Sequence, residues 1–304
     1  MGEKDVYTDK RFIKDLYKLM YDLHNVFVEN DIFYYVDGGT LMGAVRHKGI
    51  IPWDDDVDLE VGYDDLKKVT SAPVRKQFDG LGYRVKKHGE GWVKIVKKGR
   101  GKQPDADVFP VMVKKEGGRY RTTWDFEVGR DAWPKCYFYM DELLPLKMYK
   151  FGKVFCLGPK NPRPMLNRCY GPSWSKKGYI TQDKHHMPLD EPILVKQGDF
   201  HAGKDFYVPT KPQIKPSKAY LSGETSEVFS KFGGRKSPRK ASRRRRSPQR
   251  RSKSPKKRST RRRSPRKKSR RRSKSPKKCP RGKVLSPKGR CIIRGGAAYR
   301  QYFG

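Results

Sequence analysis

Two short segments set acids and glycines where an ordinary packed core has no use for them. Tyr34-Tyr35-Val36-Asp37-Gly38-Gly39-Thr40-Leu41 runs from an apolar strand into a double glycine and a helix start. Pro52-Trp53-Asp54-Asp55-Asp56-Val57-Asp58-Leu59 follows shortly after. Side chains alternate faces along a strand, so Asp54, Asp56 and Asp58 share one side and Val57, Leu59 and Val61 the other. The apolar side demands a core, and the carboxylates repel one another unless a cation sits between them. Oxygen ligands at that spacing suit Mg2+ or Mn2+, which also bind substrate phosphates. The Gly38-Gly39 turn lets backbone approach a phosphate, and the helix start at Thr40 offers free N–H groups and a positive dipole end. The plainer reading is a solvated acidic loop and a tight glycine turn. Trp53 and the apolar alternation argue against it, because a surface loop needs neither.

The pattern resembles the nucleotidyltransferase signature, an apolar residue and Gly-Gly followed by Asp-apolar-Asp-apolar, here Val36, Gly38-Gly39 and Asp56-Val57-Asp58-Leu59. The longer stretch from Asp37 to Leu59 resembles the core of the LicD family, which includes bacterial phosphocholine transferases and the fukutin and fukutin-related ribitol-phosphate transferases. Ala106-Asp107-Val108-Phe109-Pro110 resembles that family's second acidic strand. Leu143-Leu144-Pro145-Leu146 and Tyr170-Gly171-Pro172-Ser173-Trp174 resemble its later landmarks. The resemblance spans roughly residues 10–185 and implies a small mixed sheet flanked by helices, an α/β nucleotidyltransferase-like core. It implies a phosphotransferase that takes a CDP-linked alcohol and moves its phospho-alcohol part to a glycan hydroxyl. Asp56 and Asp58 would hold the metal, and Asp107 would be a third ligand or accept the acceptor's proton. Asp54 would shape the site, and Gly38, Gly39 and Thr40 would hold the donor phosphates through backbone N–H groups. Arg46, His47 and Lys48 either neutralise phosphate or lie exposed.

Periodicity supplies the elements around these motifs. Phe12, Ile13, Leu16, Leu19, Met20, Leu23, Val26 and Phe27 recur at helical spacing and predict an amphipathic helix over 9–30. Strands are expected at 33–36, 57–61, 83–85, 92–96, 108–113 and 151–157, and helices at 40–47, 64–78 and 162–170. Pro73 ends or breaks the second of those helices. Beyond residue 115 the pattern weakens into an aromatic-rich stretch that reads as packing. His185-His186 is a weak metal candidate, because adjacent residues do not face one another on a helix or strand.

The net charge of +40 is unevenly spread: 32 of the 72 Lys and Arg follow Gly234, where no acid occurs. The remainder, 40 basic against 32 acidic residues, is ordinary for a folded domain. The pattern Ser-Pro followed by Arg or Lys recurs from Ser237 to Ser286. Such a segment buries too little apolar surface to offset its ordering entropy, so 235–277 is expected to be disordered. Its charge suits nucleic acid or another polyanion, nuclear entry, or an anionic membrane. Cys-Pro-Arg-Gly-Lys-Val from Cys279, then Ser286-Pro287 and Gly289-Arg290-Cys291, resembles the two-cysteine adaptor module fused to enzymes of large double-stranded DNA viruses. That resemblance implies a viral chain addressed to virion proteins. The expected organisation is a catalytic domain over 1–200, a linker over 201–234, the basic tail over 235–277 and the adaptor-like segment over 278–304. No apolar run approaches the ~20 residues that span a bilayer, and the acidic N-terminus lacks a signal-peptide pattern, so a soluble protein of host cytoplasm or virion is expected. Cys136, Cys156 and Cys169 read as reduced core residues. A competing expectation is a nucleic-acid-binding or virion protein whose transferase-like domain is inactive or secondary.

Overall fold

The computed structural model describes residues 6–89, 91–182, 188–196, 206–222, 228 and 230–232, with the backbone of 283–285 and 291–293. The chain divides into two units, Met1–Gly234 and Arg235–Gly304.

The first unit begins with α1 (Lys10–Glu29), started by Asp9, whose carboxylate accepts from the Arg11 N–H at 2.8 Å. The expected stripe is buried: Leu16, Leu19, Met20, Leu23 and Phe27 have no solvent exposure. Next come β1 (Tyr34–Val36), α2 (Gly38–Arg46) and β2 (Asp56–Gly62). The helix expected over 64–78 is two pieces, α3 (Leu66–Val69) and α4 (Ala72–Gly80). Pro73 lies in the first turn of α4, where its missing N–H has no helical partner to lose. Three strands follow: β3 (Tyr83–His88), β4 (Trp92–Lys97) and β5 (Asp105–Glu116). Gly117 and Gly118, both with positive φ, then turn the chain into β6 (Arg119–Trp124), a strand that the sequence reading does not anticipate.

These strands form one mixed sheet in the order β1-β2-β5-β4-β3, with β6 also on β5. Only β2 and β5 run parallel, and α3, α4, β3 and β4 supply the long crossover that parallel pairing requires. Val57, Leu59, Ala106, Val108 and Ile95 are fully buried and belong to the same core as the α1 stripe. The opposite face of β2 and β5 carries the acids.

After α5 (Glu127–Ala132) and α6 (Met140–Leu143), the strand expected over 151–157 is a hairpin, β7 (Lys147–Phe151) and β8 (Val154–Gly158). Its turn uses Gly152 at φ +65°, against the ring of Tyr17, so a side chain there has neither the backbone freedom nor the space. Then come α7 (Arg163–Tyr170) and the pair β9 (Lys177–Gln182) and β10 (Pro188–Lys196).

Part of the segment expected as a linker is laced onto the core. Asn25 Oδ1 accepts from the Ile214 N–H at 2.9 Å, and His24 Nε2 lies 2.8 Å from the Ile214 carbonyl. In α8 (Lys218–Ser222), Tyr220 meets Phe33 edge-on at 5.1 Å, and Phe232 packs on the same ring at 5.3 Å. Hydrophobic periodicity does not reveal this, because the anchors are single aromatics in a lysine- and proline-rich context.

The cysteine expectation is corrected. Cys136 and Cys169 form a disulfide across 33 residues, with their Cα atoms 4.8 Å apart. Spacing cannot reveal this, since the two are joined only once α7 packs back beside residue 136. Cys156 is buried and free, as expected.

In the second unit, β11 (Lys283–Leu285) pairs antiparallel with β12 (Cys291–Ile293). The basic tail, Cys279 and the His185-His186 pair lie outside the described residues. Among the described residues, no helix is long and apolar enough to cross a membrane.

Three outcomes follow for stability. Tyr220→Ala should lower the unfolding free energy by about 3–5 kcal/mol, the usual cost of emptying a buried aromatic site. A chain stopped after residue 200 should melt below one stopped after 234, and equal urea midpoints would contradict the packing. Replacing Cys136 and Cys169 together by Ser should cost about 2–4 kcal/mol, read as a lower melting temperature that reductant no longer changes.

Candidate active site

β2 and β5 pair in a register that sets Asp56 beside Asp105 and Asp58 beside Asp107. Parallel neighbours in register point to the same face, so one patch of sheet receives four carboxylates. Oxygens of Asp56, Asp58 and Asp107 all lie within 4.8 Å of one another, and those of Asp54, Asp55 and Asp56 form a second such group. Asp54 is not on the strand, as the alternation suggests, but in the turn before it, where its N–H donates to the Ile51 carbonyl at 2.9 Å. Its carboxylate still reaches the cluster: a Cβ built on Gly39 would lie 2.7 Å from Asp54 Oδ2.

That contact shows what the double glycine does locally. A Cβ on Gly38, whose φ is +56°, would lie 2.8 Å from Asp58 Oδ2. Both glycines therefore let the start of α2 settle against Asp54 and Asp58. Asp58 accepts from the Gly39 N–H, one of the free donors of that helix end. Thr40 contributes its side chain, with Oγ1 accepting from the Asp58 N–H at 2.8 Å. The Asp37 N–H donates to the Asp58 carbonyl at 3.1 Å. Loop, helix and strand are thereby pinned together at Asp58.

Burial first, and the neighbouring carboxylates second, hold Asp56 and Asp58 well above the usual carboxylate range. Burial pushes Asp54 up to about 6 despite Arg46 and Lys102 nearby. Asp37 is likewise pushed up to about 6 by burial. Glu60 is raised further by burial and by Asp37, and it accepts from the Tyr35 hydroxyl and from Trp124 Nε1, the latter at 2.6 Å.

Several residues of this site escape the sequence reading. Lys94 of β4 stands opposite Asp107 and ion-pairs with Asp105 at 2.5 Å and Asp107 at 3.0 Å. Those acids raise its ammonium pKa against the opposing effect of burial. Trp92 Nε1 donates to Asp107 Oδ1 at 2.8 Å. Lys102 ion-pairs with Asp55. Burial first, and then Asp37, Asp58 and Asp54, raise the Tyr170 hydroxyl, although the residue as a whole is exposed. Asp105 had a signal, the alternation with Asp107; Lys94 had none without the register.

The cations after α2 separate. Arg46 faces Asp54, its guanidinium lowered to about 10 by burial while it donates to the Trp174 carbonyl at 2.8 Å. His47 is buried beside Trp53, their rings 5.7 Å apart. Lys48 turns back to the Val45 carbonyl at 2.9 Å. Of the three, Arg46 belongs to the site.

These features define an α/β domain with a carboxylate-lined centre on the face shared by β2 and β5, closed by the start of α2. The family described as LicD/FKTN/FKRP, nucleotidyltransferase domain, matches residues 31–161. An uncharacterized protein of Rickettsia prowazekii (strain Madrid E), RP689, is 39% identical over 175 residues, covering 57% of this chain and 60% of that protein. The human ribitol 5-phosphate transferase FKRP is 29% identical over 142 residues, 46% of this chain and 28% of that one. The lipopolysaccharide cholinephosphotransferase LicD of Haemophilus influenzae (strain ATCC 51907 / DSM 11121 / KW20 / Rd) is 54% identical over 37 residues, 12% of this chain and 14% of that one. Over residues 31–161 the chain is similar to that nucleotidyltransferase domain. The chain spans 60% of the length of the Rickettsia prowazekii relative and less of the others.

The crowded acids fix a pH dependence. In the unfolded chain aspartates ionise near 3.9, whereas folded Asp37 and Asp54 keep protons up to about 6. Between those values the folded state binds more protons, so metal-free stability falls as pH rises from about 4 to about 6. It keeps falling above that while Asp56 and Asp58 ionise. Asp56→Asn should therefore raise the metal-free melting temperature at pH 8 by a few degrees, since one like charge is removed from the cluster. A fluorescence melt across pH checks both, and a lower melting temperature for Asp56→Asn would contradict the account.

Proposed function

We propose that this chain is a metal-dependent phosphotransferase that moves a phospho-alcohol from a CDP-linked donor to a glycan hydroxyl. The observation that carries the reading is the Asp56, Asp58 and Asp107 trio, brought within 4.8 Å by parallel pairing of β2 with β5. The names of the ribitol 5-phosphate and cholinephosphotransferase relatives supply the reaction class. The donor set is all oxygen, which fits Mg2+ or Mn2+ rather than a softer ion. Bound there, such an ion would neutralise the donor diphosphate and the departing CMP.

The chain's own residues have distinct tasks in this reading. Asp56 and Asp58 hold the ion, while Trp92 and Lys94 fix the orientation of Asp107, the third ligand or the acceptor of the hydroxyl proton. Gly38 and Gly39 allow the close approach of α2, and the Thr40 N–H, with the Arg46 guanidinium, would face donor phosphate. Asp54 sets the position of Arg46 through their opposite charges. The acceptor oxygen attacks the phosphorus attached to the alcohol, the bond to the CMP oxygen breaks, and the acceptor proton leaves to base. Positioning and charge neutralisation supply most of the acceleration.

A second reading rests on the 32 basic residues after Gly234, which suit a polyanion whatever the first unit does. A chain ending at 234 separates the two: it should lose salt-dependent DNA binding and keep CMP release.

The direct test is incubation with Mg2+ and CDP-choline, CDP-ribitol or CDP-glycerol beside candidate glycans, following CMP. Asp56→Ala should lower CMP release by 10³-fold or more, in line with removing a principal electrostatic stabiliser, while the fold persists by circular dichroism. An Asp56→Ala protein with normal turnover would refute the assignment.

A further inference from the structure

Away from the acid trio, a recess of about 220 Å³ lies beside β6 and α5, with Lys114, Arg121, Arg130, Trp124, Trp133 and Tyr137 in its walls. Asp56, Asp58 and Asp107 do not line it, but Glu60 does, two residues along β2 from Asp58 and on the same face. Glu60 is the one acid in that wall, against the three cations Lys114, Arg121 and Arg130. Lys114 and Arg121 both pair with one exposed acid, Glu116. Arg130 uses one N–H on the Trp124 carbonyl at 2.8 Å, one of the five donors of a guanidinium. The wall therefore carries more positive than negative charge.

The wall is also held in shape. The Arg121 and Arg168 guanidinium carbons lie 4.2 and 4.7 Å from the Tyr137 ring centroid. The neighbouring Cys136 is tied to Cys169 on α7. Trp133, 39% exposed, meets Trp124 edge-on at 5.6 Å and offers a flat apolar surface. The volume falls below the ~300–1,000 Å³ of sites for drug-sized ligands, which suits one ring with a charged substituent and excludes a whole nucleoside diphosphate. A ring face flanked by guanidinium and ammonium groups matches a sugar that bears an anion.

We infer that this recess binds a single phosphate- or carboxylate-bearing sugar residue and is the subsite that selects the acceptor glycan. The inference deepens the proposed transfer reaction, resting on it for the word acceptor; the recess and its ligand chemistry stand apart from the acid trio. The test omits divalent cation and CDP donor, so it fails or succeeds independently of the reaction. The full chain, labelled with ¹⁵N, is titrated with glucose 6-phosphate, glucuronate and glucose while the indole N–H signals of Trp124 and Trp133 are followed. Saturable shifts with one or both anionic sugars, and none with glucose, are expected; which anion binds tighter identifies the charged group. Lys114→Ala with Arg130→Ala should weaken that binding at least tenfold. Both side chains are exposed, and Lys114→Gln with Arg130→Gln serves as a second pair should the first unfold. Absent or non-saturable shifts, an equal response to glucose, unaltered binding in both variant pairs, or stronger shifts with a short oligothymidylate would each overturn the inference.

Discussion

The structure depends on one parallel strand pairing. Lining β2 up with β5 buries Val57, Leu59, Ala106 and Val108 on one side and forces Asp56, Asp58, Asp105 and Asp107 together on the other. The same hydrogen-bond ladder thus creates the core and the electrostatic problem. A slip of one residue would exchange the two faces, so the apolar side locks the acids into place. The surrounding chain is arranged to tolerate that crowding: Gly38 and Gly39 admit the carboxylates, Thr40 holds the strand backbone, and Lys94 bridges two acids.

A second layer sits behind the first. Burial raises both Asp37 and Glu60 above the usual carboxylate range, and Tyr35 and Trp124 donate to Glu60. Tyr35 and Trp124 are core residues by burial, so the hydrogen bonds that set the site also belong to the packing. Site and fold therefore share residues.

Much of this was legible in the sequence, because the decisive signals were local. The stripe of α1, the double glycine and the alternation through Asp56 and Asp58 each reflect a single element's own period. Asp107 was legible for the same reason, lying in an apolar strand. What remained hidden depends on register or on distant packing. Lys94 matters only because β4 sets it opposite Asp107. The Cys136–Cys169 bond exists only because α7 returns to residue 136, and Tyr220 finds Phe33 across 187 positions of chain. The alternation sets Asp54 on the strand, whereas a turn after Pro52 and Trp53 carries it beside Gly39.

Lys94 gives the acidic face a counter-ion of its own. Aspartates gathered this tightly repel one another as they ionise, and a nearby positive charge offsets part of that cost. An ammonium shared by Asp105 and Asp107 supplies that charge from within the chain. A cation of the kind proposed for this face would have to compete with that lysine for Asp107, so the ammonium would act as its placeholder.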